Sequence, residues 1–156
     1  MKKIILYTDG ACSGNPGVGG WGAILDFNGT TKKLKGAEDN TTNNRMELMA
    51  VIMGLKALKE PCLVEIYSDS AYVVNAFLQD WVTSWQLNGW KNAQKKEVKN
   101  IDLWQELLKL CTLHNVSWFK VKGHADNERN NECDKMATGE IARFKNEQSQ
   151  WYGNTQ

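Results

Sequence analysis

The stretch from Lys3 to Leu34 reads KIILYTDGACSGNPGVGGWGAILDFNGTTKKL, and its punctuation decides the fold. Lys3 to Thr8 is a short apolar run closed by Asp9-Gly10, a pattern that predicts a buried strand followed by a turn. The first strand then delivers Asp9 at its end. Between Cys12 and Gly22 stand Gly14, Pro16, Gly17, Gly19, Gly20 and Gly22, residues that allow a bent, closely approachable backbone. Trp21 to Phe27 and Thr31 to Leu34 flank Asn28-Gly29, a dipeptide suited to the positive φ angles of a type I′ hairpin turn. The chain therefore opens as an antiparallel meander.

Beyond the meander the period changes from two to 3.6. From Thr42, through Asn43, Asn44, Arg45, Met46 and Glu47, the residues Leu48, Met49, Val51, Ile52, Leu55 and Leu58 follow helical spacing until Pro61. Glu47 falls in the first turn or two of that helix. Leu63 to Tyr67 reads as the next strand, and Ser68-Asp69-Ser70 as the cap of a helix from Ala71 to Leu78, so Asp69 sits where the strand stops. Trp81 to Trp90 carries Trp81 and Trp85 four apart, with Asn88-Gly89 as a stop signal. Leu103, Trp104, Leu107, Leu108 and Leu110 mark a further helix, Val116 to Val121 a fifth strand, and Glu132 to Phe144 a last helix with Asp134 near its start. Residues 1–144 are expected to form one domain, and 145–156 a polar, frayed tail.

Composition bounds what such a chain can do. At 156 residues, with 42% hydrophobic and 24% charged, it is long enough for a core that needs neither disulfides nor metals to hold it. Its 19 Lys+Arg nearly balance 18 Asp+Glu, so any nucleic-acid binding must come from a local patch. The obvious candidate is residues 91–99, where Lys91, Lys95, Lys96 and Lys99 face a single Glu97. The apolar run before Thr8 is too short for a secretory leader, no stretch approaches the ~18 residues of a membrane span, and Cys12, Cys62, Cys111 and Cys133 form no C-x-x-C pair. These features suggest a cytoplasmic protein with reduced, structural thiols.

Asp9, Asp69 and Asp134 stand at strand ends or a helix start, and Glu47 on the first helix. In an open α/β sheet, functional groups gather just beyond the strand ends, where residues far apart in sequence can meet. Clustered carboxylates repel unless a cation neutralises them, and hard oxygen ligands without a His/Cys set suit magnesium or manganese. Taken singly, each acid reads better as a helix cap or a surface charge than as a ligand.

The blocks Tyr7-Thr8-Asp9-Gly10-Ala11-Cys12, Thr42 to Leu48, Tyr67-Ser68-Asp69-Ser70, Val121-Lys122-Gly123-His124 and Asn130 to Asp134 occur in an order and at separations that resemble bacterial type 1 ribonuclease H, up to about residue 142. The resemblance implies an α/β ribonuclease H-like fold, a five-stranded mixed sheet of order 3-2-1-4-5 flanked by helices. It also implies an endonuclease that cuts the RNA of RNA–DNA hybrids without strong sequence preference, leaving 5′-phosphate and 3′-hydroxyl ends. Asp9, Glu47, Asp69 and Asp134 would be the ligands of two Mg2+ ions, for which Mn2+ could substitute, with Asp9 bridging both. His124 would assist proton transfer or product departure.

For the substrate, the resemblance places Cys12, Asn15, Asn43 and Asn44 along the minor groove, Thr42 and Asn100 at a DNA phosphate, and Trp81 against a DNA sugar, while Lys91, Lys95, Lys96 and Lys99 belong to a basic protrusion. Trp85 and Trp104 are expected to be buried. The chain departs from the family pattern at Gln86-Leu87-Asn88, where basic residues are common, and at Asn40, where an arginine is common. Ala71 also replaces a longer side chain. Fewer cations imply weaker hybrid binding and a shallower salt dependence. Two rival functions remain: a non-catalytic hybrid-binding module, which would need none of the acids, and a resolvase or integrase-type nuclease of the same fold. The working form is expected to be a monomer.

Overall fold

A computed structural model describes residues 1–122 and 127–154, with side chains described up to Trp151. The elements are β1 (Lys2–Cys12), β2 (Gly17–Phe27), β3 (Thr30–Thr41), α1 (Asn43–Lys56), β4 (Cys62–Ser68), α2 (Ala71–Leu78), α3 (Trp81–Leu87), α4 (Ile101–Leu113), β5 (Asn115–Lys120) and α5 (Glu128–Asn154). The strands form one mixed sheet in the order β3-β2-β1-β4-β5, as expected. β1–β2 and β2–β3 are antiparallel; β1–β4 and β4–β5 are parallel. Asn28 and Gly29 both adopt positive φ, 49° and 85°, and close the first hairpin.

Successive strand residues point to opposite faces of a sheet, and the glycines of β2 show what lies on each. A Cβ on Gly19 would stand 2.7 Å from Met46 of α1, whereas one on Gly20 would stand 2.1 Å from the Ala137 carbonyl of α5. Helices α1 and α5 thus press on opposite faces of the same strands. Behind α1, α4 completes a core in which Leu6, Ile66, Leu48, Ile52, Leu55, Trp104 and Leu107 are fully buried.

Several boundaries differ from the sequence expectation; β2 starts at Gly17 rather than Trp21 and β3 runs to Thr41 rather than Leu34. β1 does not stop at Asp9: it pairs with β2 as far as Cys12↔Gly19, because the glycines of β2 let an extended strand continue under α5. Consequently Asp9 lies within the strand, opposite Gly22, and only residues 13–16 form the bend between β1 and β2. α3 ends at Leu87, with Asn88 as its cap and Gly89 at φ 64° just beyond, where the Asn88-Gly89 stop signal was expected. α5 begins at Glu128, where the Asn127 side chain accepts the N–H groups of Arg129 and Asn130 (3.0 and 3.2 Å), and it runs past Phe144 to Asn154. Arg143 bonds Glu140 and Glu147, three and four residues away, and Gln148 reaches Asp39 of β3 at 3.2 Å, so polar pairing along the helix and one bond to the sheet support its distal part.

Candidate active site

Three elements converge where β1 and β4 part. Gly10 lets α1 approach β1 closely: a Cβ there would stand 2.4 Å from the backbone of Met46 and Glu47. The approach places Glu47 beside Asp9. Thr42 sets the start of α1, its hydroxyl accepting the Arg45 N–H at 3.3 Å. On β4, pairing ends at Ser68, and Ser70 caps α2 by accepting the Val73 N–H, which leaves Asp69 between strand and helix. One carboxylate oxygen from each of Asp9, Glu47 and Asp69 lies within 4.8 Å of the other two.

Asp134 lines the same cavity of about 450 Å3 from α5, but its carboxylate stands outside that 4.8 Å group. The four acids therefore share one cavity, three of them in close contact range. His124 lies outside the described residues.

Asp9 and Glu47 are 6% and 5% exposed, which is unusual for carboxylates. Burial, then the charge of Asp69, push the Asp9 carboxyl up to about 7; Asp134 adds to the rise, while hydrogen bonds from Glu47 and the Gly10 N–H (2.9 Å) hold it down. Burial and the charges of Asp9 and Asp69 hold Glu47 well above the usual carboxylate range. Its Oε2 is buried with no hydrogen-bond partner. Among the described residues no lysine or arginine lines this cavity, and no ion pair involves these acids. Such a set of crowded, uncompensated oxygens fits a hard divalent cation.

Of the residues expected to meet substrate, two line this cavity. Asn43 and Asn44 are exposed on the first turn of α1 and line the acid cavity, as does Ala71. Asn15 is exposed in the bend after β1, whereas the Cys12 thiol is turned inward, donating to the Thr41 carbonyl at 3.4 Å. Asn100, in the left-handed region just before α4, accepts from Arg45 Nη1 at 3.2 Å and donates to the Tyr72 hydroxyl at 3.0 Å. Trp104 Nε1 donates to the same hydroxyl at 3.0 Å.

Trp81 is 39% exposed and Trp104 fully buried, as expected; Trp85 is only half-buried, its ring edge-on to Trp104 at 5.3 Å. All four lysines of residues 91–99 are exposed. A larger cavity of about 980 Å3 beside α4 gathers Lys56, Asp102 and Glu106 with Trp90 and Leu108, but brings together none of the four acids.

Two participants were not singled out by sequence. Arg45 makes a bidentate pair with Asp102 (2.8 and 3.0 Å), which raises the pKa of one and lowers that of the other, and nothing in the sequence signals that pairing. Asn130 lies four residues before Asp134 on the same helix, a spacing that could have drawn attention to it.

The RNase H family model matches residues 1–142. Ribonuclease H of Acetivibrio thermocellus is 63% identical over 143 residues, covering 92% of this chain and 97% of the relative, and that of Caldicellulosiruptor saccharolyticus is 60% identical over 145 residues, covering 93% and 100%. Among solved structures, LC9-RNase H1, a type 1 RNase H with the type 2 active-site motif, superposes with a TM-score of 0.81 at 28% identity, covering 91% of this chain and 73% of the other.

Proposed function

This chain belongs to the ribonuclease H family and is a metal-dependent endoribonuclease of RNA–DNA hybrids, and from that premise we propose how its residues share the work. The carrying observation is the meeting of Asp9, Glu47 and Asp69 within 4.8 Å, together with a buried Glu47 oxygen that has no hydrogen-bond partner. Asp9, Glu47, Asp69 and Asp134 would hold two Mg2+ ions, with Mn2+ able to substitute. Ions so held would supply Lewis-acid stabilisation of the charge on a scissile phosphodiester and would ease deprotonation of the attacking water near neutral pH. The expected products carry 5′-phosphate and 3′-hydroxyl ends.

The chain's own groups bind and orient. Asn43 and Asn44, at the cavity rim, offer amides to the ribose 2′-hydroxyls that distinguish RNA from DNA. Cys12 contributes through its backbone, since its thiol is already engaged with Thr41. Thr42 spends its acceptor on Arg45 N–H, and Asn100 spends its oxygen on Arg45 and one N–H on Tyr72. The leftover O–H and N–H are donors, which suits a phosphate oxygen. Trp81 packs a DNA sugar, and Lys91, Lys95, Lys96 and Lys99 neutralise phosphates without reading sequence. His124 moves a proton or speeds product departure. The working form is taken to be a cytoplasmic monomer.

The test is cleavage of an end-labelled RNA–DNA hybrid, single-stranded RNA and duplex DNA by wild type and Asp9→Asn, with Mg2+, Mn2+ or EDTA. Wild type should cut only the RNA of the hybrid, and only with metal; Asp9→Asn should be inactive. Cleavage surviving in Asp9→Asn would defeat the mechanism. Cutting of duplex DNA would favour a resolvase-type activity, and tight hybrid binding without cleavage a binding module.

A further inference from the structure

One buried side chain ties together the strands that carry two of the acids. Asn130, on α5 and 8% exposed, donates through its single amide nitrogen to the Tyr67 carbonyl at 2.9 Å and to the Thr8 carbonyl at 3.2 Å. These carbonyls belong to different strands. β1 and β4 pair in parallel from Lys2↔Cys62 to Tyr7↔Tyr67 and no further; beyond it β1 follows β2, while β4 ends and leads into α2. Asn130 therefore bridges the fork at its apex. Thr8 immediately precedes Asp9, and Tyr67 precedes Asp69 by two residues.

The two N–H bonds of an amide are rigidly set relative to each other, so the distance between the carbonyls they hold is fixed as well. Asn127 caps the first turn of α5, and the Cys133 thiol anchors the helix to β1 by donating to the Tyr7 carbonyl at 3.4 Å. Asp134 lies one helical turn after Asn130 on the same face. Asn130 Oδ1, by contrast, is buried without a hydrogen-bond partner, so it is the donor half of the amide that makes the connection.

We infer that Asn130 is a positioning residue of the metal centre, whose amide holds the β1–β4 fork at the spacing that brings Asp9 and Asp69 into one ligand sphere and sets Asp134 against them. It touches no ligand directly. The inference rests on the reading of the acids as a divalent-cation site. Without the clamp, no side-chain hydrogen bond among the described residues spans the fork, only the stacked rings of Tyr7 and Tyr67 meet across it, and the 4.8 Å grouping of the acids loosens.

The test compares wild type, Asn130→Ala, Asn130→Leu and Leu107→Val. Leucine fills a similar volume without donors. Leu107 is a fully buried residue of α4, remote from the acid cavity, and its trimming reports plain destabilisation. Calorimetric titration with MgCl2, without substrate, and kcat and KM on a hybrid are measured well below every melting midpoint. Both Asn130 variants should bind Mg2+ about ten-fold or more weakly and lose kcat by a similar factor, with KM unchanged; Leu107→Val should melt earlier yet keep both. If alanine does not fold, leucine carries the reading. Asn130 variants that bind Mg2+ and turn over like Leu107→Val would overturn the clamp alone. A wild type that takes up no divalent ion would overturn the metal reading and the clamp with it.

Discussion

At Asp9, burial and the charge of Asp69 act in the same direction, and the carboxyl titrates at about 7. A folded-state value above the unfolded one means that the native chain keeps a proton the unfolded chain has released, so the stability Asp9 confers is fully present below about pH 4 and is lost as pH rises through about 7. His114 acts oppositely, because burial lowers its pKa from 6.5, so its contribution is lost as pH falls below that range. Asp102 and Glu132, with lowered values, act in the acid range. The window that isolates the acid cluster is thus about pH 6.5 to 8. In EDTA, the melting temperature should fall across that window in wild type and less steeply in Asp9→Asn, where burial and Asp69 still raise Glu47, and Asp9→Asn should be the more stable protein at pH 8. One pKa unit corresponds to about 1.4 kcal/mol, so the difference is a few kcal/mol at most. Mg2+ should restore wild type increasingly as pH rises, and calorimetric curves that coincide with and without Mg2+ would refute this account.

The basic segment between α3 and α4 is an ordered element as well as a run of charge. Lys91 and Glu97 form a β-bridge, the Asn92 side chain accepts the N–H groups of Gln94 and Lys96 at 3.0 Å each, and the Val98 N–H bonds the Trp90 carbonyl at 2.9 Å. Its exposed lysines therefore project from an ordered backbone. Gln86 and Asn88 are exposed at the end of α3, where further cations could have joined them. Because each neutralised phosphate adds about 0.9 to the slope of log K against log salt, Gln86→Lys/Asn88→Arg should steepen that slope by about one to two and tighten hybrid binding at low salt, with kcat unchanged. Equal slopes in a fluorescence titration would show that this end of α3 stays clear of the duplex. The element's location was legible in the lysine count, but its shape was not, because the bridge and the Asx turn depend on backbone geometry that charge does not encode.

Across the whole molecule, α5 is the longest element, yet its functional part is its first two turns. After Phe144, its tie to the sheet among the described residues is the Gln148–Asp39 bond. Ending the chain after Lys145 should leave hybrid cleavage intact while lowering the melting temperature by a few degrees, about what losing roughly 1 kcal/mol does to a domain of this size. A loss of activity at temperatures well below the midpoint would assign the distal helix a role in the site. Much of the architecture could be read before folding was considered: the apolar run before Asp9, the Asn28-Gly29 turn, the 3.6 spacing after Thr42 and the cap at Ser70 are local signals, set by residues a few positions apart. The acid motifs also named the site. What only the tertiary structure decided depends on groups distant along the chain: that β1 runs past Asp9, that Gly20 and Gly22 make room for α5, that Arg45 finds Asp102, that one amide on α5 spans two strands, and that Asp9 is raised to about 7. Desolvation, Coulomb repulsion and hydrogen-bond geometry act through space, so they take their values only once packing has brought those residues together.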